Sequence, residues 1–152
     1  MNLQQAISQA VSLLAEGVGM KVVITPTESG SMARWVSKLR PRQLILALSR
    51  HVSTVRRLNL CWGVHPILVL GWKDTDEKLE RSKRMPKELG MASKGEKMVI
   101  IARVPISIPG TTNLIKVEIA EWPNLQNFMK LTAYHAIGRE EYARVKILPS
   151  KT

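Results

Sequence analysis

The chain holds a single cysteine, Cys61. No intramolecular disulfide can form, and a reducing cytoplasm is the expected compartment. No histidine motif accompanies Cys61, so it reads as a small core residue and not a nucleophile. Histidine is scarce as well. His51, His65 and His135 are scattered without metal-ligand spacing, so no metal site is expected. Aromatic residues are only 5% of the chain, and no RNA or DNA motif appears. Salt-dependent, non-specific attraction is the most to expect toward nucleic acid. No apolar run reaches the ~18 residues of a membrane span. The first ten residues are polar and helical in pattern, unlike a secretory signal. No membrane partner is expected.

Acidic residues are the other shortage. There are 12 against 23 lysines and arginines, for a net charge of +11. Between Ser29 and Trp72 there is none, against seven basic residues: Arg34, Lys38, Arg40, Arg42, Arg50, Arg56 and Arg57. Such a surface attracts anions, unless it is only a solvated basic face. The 152 residues, 45% hydrophobic and 23% charged, suit one globular domain with a proper core.

Helical and strand patterns alternate along the chain. Asn2 can cap a first helix, on which Ile7, Ala10, Val11 and Leu14 share a face; Gly17 and Gly19 end it. Residues 21–25 read as a buried strand, and 26–31 as a turn rich in small hydroxyl residues. A second helix covers about 32–39 and closes at Arg40-Pro41. A strand at 44–48 follows, then a helix marked by Val52, Val55 and Leu58, then a strand at 67–70. Asp74 and Glu77 form a capping box for a fourth helix, supported by Glu77 with Arg81 and Glu80 with Arg84. Pro86 is expected to break or restart it, and Gly90 to end it. Strands at 98–102 and 114–119 complete the pattern, with Ile115, Val117 and Ile119 alternating against Lys116 and Glu118.

This order predicts a mostly parallel sheet covered by helices on both faces. The connection at 103–112 is too short for a parallel crossover, which takes roughly a dozen residues or more, so strand five is expected to run antiparallel. Residues 1–121 are expected to form the domain. Residues 122–152 read as an extension packed on it: Leu125, Phe128, Met129 and Thr132 suit one helix face, and 142–148 an edge strand. Trp35, Trp62, Trp72 and Trp122 read as core or interface anchors. Trp35, one turn past the hydroxyl-rich loop, is the tryptophan placed to reach a ligand.

That loop, Thr25-Pro26-Thr27-Glu28-Ser29-Gly30-Ser31, carries the chemistry. It joins a strand end to a helix start, where unpaired N–H groups and the helix dipole favour an oxyanion. In open α/β sheets ligands also favour the carboxyl ends of strands. The plainer reading is that Ser29 or Ser31 caps the helix. Glu28 would repel an anion, and Arg34 is the candidate to compensate. A second loop, residues 104–113, starts at the carboxyl end of strand four. Gly110, Thr111, Thr112 and Asn113 could meet the first loop over one pocket.

At these residues the sequence resembles a known family. Ile24-Thr25-Pro26-Thr27-Glu28-Ser29-Gly30, Ala33-Arg34 and Val36-Ser37-Lys38-Leu39-Arg40-Pro41 resemble the C-terminal domain of bacterial pyruvate kinases. So do Trp62-Gly63-Val64-His65-Pro66 and Gly110-Thr111-Thr112-Asn113-Leu114-Ile115-Lys116-Val117. The resemblance covers residues 6–119. It implies a three-layer α/β/α sandwich with five strands in the order 3-2-1-4-5, the last antiparallel. It implies a phosphorylated effector held by residues 27–32 and by the loop 104–112, and assembly into oligomers or with a catalytic domain. The family's catalytic TIM barrel, with its magnesium and potassium ions, has no counterpart here, so no cofactor and no catalytic residue is expected in this chain. Two positions depart from the family pattern. Met32 stands where a serine or threonine is usual, and Glu28 where members that bind fructose bisphosphate often carry lysine.

The first expectation is therefore a regulatory domain that binds phosphate or a phosphorylated metabolite through Thr27, Glu28, Ser29, Gly30, Ser31, Arg34, Gly110, Thr111 and Thr112, without phosphotransfer of its own. The alternatives are an interaction module with a vestigial site and a fragment of a full-length pyruvate kinase. An independent enzyme lacks an acid–base pair, an activated nucleophile and a metal set.

Overall fold

The computed structural model describes residues 1–106 and 111–121. Helix α1 (Leu3–Gly17) is followed by β1 (Val22–Pro26), α2 (Ser31–Lys38), β2 (Leu44–Ser49) and α3 (Val52–Leu58). Then come β3 (Val64–Leu68), α4 (Thr75–Glu88), β4 (Lys97–Ala102) and β5 (Leu114–Ile119). The sheet order is β3-β2-β1-β4-β5. The first four strands are parallel, with Ile24 level with Leu46 on β2 and Ile100 on β4. Strand β5 runs antiparallel, Val117 opposite Val99. The expected three-layer sandwich and strand order are therefore found.

Period-2 side-chain alternation splits the sheet between two cores. Val23, Ile45, Val99 and Ile101 face α1, α2 and α3, where Val11, Ala15, Met32, Ala33, Val36 and Leu58 close over them. Val22, Ile24, Leu46, Leu48, Met98 and Ile100 face α4, which contributes Met85 with Leu79 and Leu89 beside it. Among the described residues, three helices thus cover one face and one helix the other. This follows from the path of the chain: β1 to β3 step one way across the sheet, and α4 carries it back past β1 to β4. Ile24 and Ile100 are fully buried, worth about 1.5–3 kcal/mol each.

The helix starts follow the capping rules. Asn2 accepts from the Gln5 amide at 2.8 Å, and Asp74 from the Glu77 amide at 2.8 Å. Glu77 reaches back to the Lys73 amide at 2.6 Å, one residue beyond the cap, and pairs with Arg81 at 3.4 Å. A Glu80–Arg84 pair is not among the ion pairs of the described residues.

Two elements differ from expectation. Strand β3 begins at Val64 and includes Pro66, whereas 67–70 was the expected span. An edge strand pairs on one side only, so the ladder tolerates a residue without an N–H there. Helix α4 runs through Pro86. The proline sits in the last turn, where only the Ser82 carbonyl loses its donor, and its own carbonyl accepts from the Met91 amide at 2.7 Å. The expected helix face and edge strand at 122–152 lie outside the described residues.

Candidate functional site

A doubly wound sheet opens a crevice where neighbouring strands send their connections to opposite faces. Here that point lies between β1 and β4. The chain leaves β1 for α2 on one face and reaches β4 from α4 on the other. A small pocket of about 90 Å³ sits at the carboxyl ends of these two strands.

The β1–α2 loop forms one wall. Gly30 holds φ 79°, and a Cβ there would stand 3.0 Å from the Leu58 side chain. Both the backbone conformation and the space demand glycine. Thr27 Oγ1 accepts from the Gly30 amide at 2.8 Å, and Ser29 Oγ from the Ser31 amide at 3.3 Å. Ser31 Oγ donates to Gln4 Oε1 of α1 at 3.1 Å. Gly30, at the cap position of α2, offers no side-chain cap. The next amides of the first turn, Met32 and Ala33, have no intrahelical acceptor by construction. The serines therefore shape the loop without replacing an anion at the helix start. Met32 is 3% exposed and packs into the core beneath, so it brings no hydroxyl to the pocket.

Glu28 also lines the pocket. Its carboxylate pairs with Arg50 Nε at 3.0 Å and with His51 Nε2. Thr54 Oγ1 holds its backbone carbonyl at 2.7 Å. Partial burial by itself would raise this carboxyl, but the hydrogen bonds and charges of Arg50 and His51 together outweigh it and hold the group below the usual glutamate range. The charge that would repel a phosphate is already compensated, by Arg50 and His51 and not by Arg34. Arg34 is exposed on α2 and does not line the pocket.

The pocket's cations come from elsewhere. Lys78 of α4 and Arg103, just past β4, line it together with Trp72. Lys78 is 5% exposed, and its Nζ donates to the Arg103 carbonyl at 3.0 Å. Burial first, and the Arg103 charge second, push its ammonium below the ordinary lysine range, while the Glu28 carboxylate pulls the other way. Thr111 and Thr112 complete the lining. Asn113 ties that loop shut, accepting from the Val104 amide at 2.9 Å and donating to the Val104 carbonyl at 2.7 Å. Gly110 lies outside the described residues. Neither Lys78 nor Arg103 was singled out from sequence, and Trp72, not Trp35, is the tryptophan at the pocket. The Trp35 ring instead carries Lys38 Nζ 4.5 Å from its centre.

The remaining residues weighed from sequence take plainer places. Cys61 is partly buried against the α1-side core. His65 is exposed on β3, and His135 lies outside the described residues. Trp62 is half exposed beneath Arg40. Among the described residues no group of histidine, cysteine, aspartate or glutamate could hold a metal ion.

Fold and site together define a class: a five-stranded α/β sandwich with a small, polar-lined pocket at its switch point. The family model described as pyruvate kinase, alpha/beta domain matches residues 5–118. The chain belongs to this family. It is 39% identical over 118 residues to pyruvate kinase of Lactobacillus delbrueckii subsp. bulgaricus, covering 78% of this chain and 20% of that protein. It is 37% identical over 120 residues to pyruvate kinase of Clostridium acetobutylicum, covering 79% of this chain and 25% of that one. Among solved structures, a Cryptosporidium parvum pyruvate kinase in complex with ADP superposes with TM-score 0.71 at 28% identity, over 79% of this chain and 24% of the other. The chain thus spans a quarter or less of the length of these relatives.

Proposed function

We propose that this domain is a regulatory module that binds inorganic phosphate or a phosphorylated metabolite in the pocket between the β1–α2 and β4–β5 loops. The observation that carries this reading is the convergence of Lys78 and Arg103 on a hydroxyl-lined loop at a helix start. A buried ammonium is costly without an anion beside it. Glu28, whose charge reaches Lys78, is committed to Arg50 and His51. A phosphate group would supply the missing charge and accept from the hydroxyls and free amides at once. Trp72 offers an apolar wall to the part of the ligand that bears the phosphate.

Phosphoryl transfer requires a metal-centred clamp on the transferred group. The described residues supply no metal-holding cluster. We therefore assign any such chemistry to the part of a pyruvate kinase that this chain does not match, with this domain acting as its sensor in the same chain or in an assembly.

Calorimetric titration with phosphate, sulfate, sugar phosphates and nucleotides tests the reading. At least one of these should bind at millimolar concentration or tighter. Silence across the whole panel would sink it.

A further inference from the structure

Two adjacent residues just past β2, Arg50 and His51, meet a single oxygen of Glu28. Arg50 Nε donates to Glu28 Oε2 at 3.0 Å, and His51 Nε2 shares the same oxygen. Glu28 carries the sole carboxylate among the described residues that line the pocket; Arg50 and His51 are not lining residues. The backbone around this cluster is held at both ends. Thr54 Oγ1 donates to the Glu28 carbonyl at 2.7 Å, and Ser49 Oγ accepts from the His51 amide at 3.2 Å. The His51 side chain is 46% exposed, so solvent protons reach the ring.

A carboxylate oxygen only accepts, so Nε2 of His51 carries its hydrogen whether the ring is neutral or charged. A second proton goes to Nδ1. It leaves the contact with Glu28 in place and changes the charge alone. With a neutral ring, Arg50 and Glu28 cancel formally; with an imidazolium, the cluster bears one net positive charge. Histidine is the side chain whose charge changes between about pH 5 and 8. Glu28 stays ionised across that range, since its partners hold it below the usual glutamate range. The other charged groups facing the cluster are known. Arg50 touches Glu28 directly. Lys78 of α4 lines the same pocket and feels the Glu28 charge. The first turn of α3, which starts after His51, holds no acidic residue.

We propose that His51 is the proton switch of the anion site, an inference that rests on the binding function proposed above. A protonated His51 adds positive charge behind the one carboxylate of the pocket wall and strengthens the hold on a phosphate or other oxyanion. A neutral His51 leaves the Glu28 charge offset by Arg50 alone and weakens it. The coupling is reciprocal: a bound oxyanion favours the second proton on His51 by the same factor. A unit charge acting on a dianion at roughly 10 Å, through solvent-rich surroundings at low salt, changes affinity about threefold. His51 thus acts on the ligand through Glu28 as a positioning residue for charge, without touching the ligand.

Sulfate is the probe, because it stays a dianion throughout this range. Its affinity for the full chain is measured by calorimetry at about pH 8 and about pH 5.5, at fixed low ionic strength. The unaltered chain should bind about threefold more tightly at the lower pH, and His51→Gln, which keeps a donor for Glu28 but cannot gain the charge, should lose that ratio. A second reading needs no variant: saturating sulfate should raise the proton affinity of His51 about threefold, followed through its imidazole C–H resonances by NMR. Equal pH ratios in the unaltered chain and His51→Gln, or a His51 titration that sulfate does not move, would overturn the switch while leaving the anion site standing. Absence of sulfate binding at both pH values would remove site and switch together.

Discussion

Lys78 concentrates the chemistry of the site in one side chain. Its burial and its Arg103 neighbour hold its folded pKa below the ordinary 10.5. The unliganded fold therefore binds this proton less well than the unfolded chain does. The resulting destabilisation is full below the folded pKa and fades as pH rises toward 10.5. On the proposed function, an oxyanion in the pocket would oppose the shift and draw the proton back. Sulfate does not titrate in this range, so it isolates the effect. Its affinity should fall as pH rises through the alkaline range, with net proton uptake measurable by calorimetry in buffers of different ionisation enthalpy. A Lys78→Met variant should lose both the pH dependence and the uptake.

Glu28 acts in the opposite sense. Its folded pKa lies below 4.5, so its stabilisation is present above 4.5 and is lost as pH falls through the folded value. Its side chain is 41% exposed, so the contribution is small, about 1 kcal/mol or less. Acid unfolding of Glu28→Gln should be correspondingly shallower. Gly30 is less forgiving. Gly30→Ala meets both the positive φ and the Leu58 contact and should cost about 1–3 kcal/mol in urea unfolding.

At the scale of elements, the capping residues make the helices separable. Asp74→Ala removes the cap of α4 and should cost about 0.5–2 kcal/mol. Because α4 delivers Lys78, the same substitution should also weaken oxyanion binding. The strands, helices and sheet order were legible from sequence because apolar period, turn residues and loop length all agreed. The antiparallel β5 followed from the length of one connection. The loop 27–31 was legible because strand end, hydroxyls and glycine occur together.

The pocket's cations were hidden because the basic residues that crowd the segment from Ser29 to Trp72 drew attention to α2 and α3. Lys78 sits among charged neighbours, but it is in phase with the buried face of α4: Lys78, Ser82, Met85 and Leu89 fall at i, i+4, i+7 and i+11. A lysine on the apolar phase of a helix was the available signal. Arg103 had no such mark, since only the topology brings the end of β4 beside β1. The Glu28 pairing was equally invisible, because Arg50 and His51 lie more than twenty residues away along the chain.

Across the whole molecule, charge and site are separate. Arg34 and Lys38 of α2 and Arg56 and Arg57 of α3 are exposed and away from the pocket, which uses α4 and the end of β4. Among the described residues no helix is long and apolar enough to cross a membrane. A ligand that binds only the folded state stabilises it by mass action. At a hundred times its Kd this amounts to about 2.7 kcal/mol, or a rise in Tm of about 5–10 °C for a chain of this size. At the same ligand concentration, a tenfold weaker Lys78→Met should show about half that rise or less.

The central claim is that the buried lysine, and not the basic surface, holds the oxyanion. Sulfate affinity of the unaltered chain, Lys78→Met and Arg34→Met, measured by titration calorimetry at fixed ionic strength, tests it most directly. The account predicts at least a tenfold loss for Lys78→Met and a change within about twofold for Arg34→Met, in keeping with the 1.5–3 kcal/mol of a charged hydrogen bond. Equal affinities for Lys78→Met and the unaltered chain, or a loss confined to Arg34→Met, would contradict it.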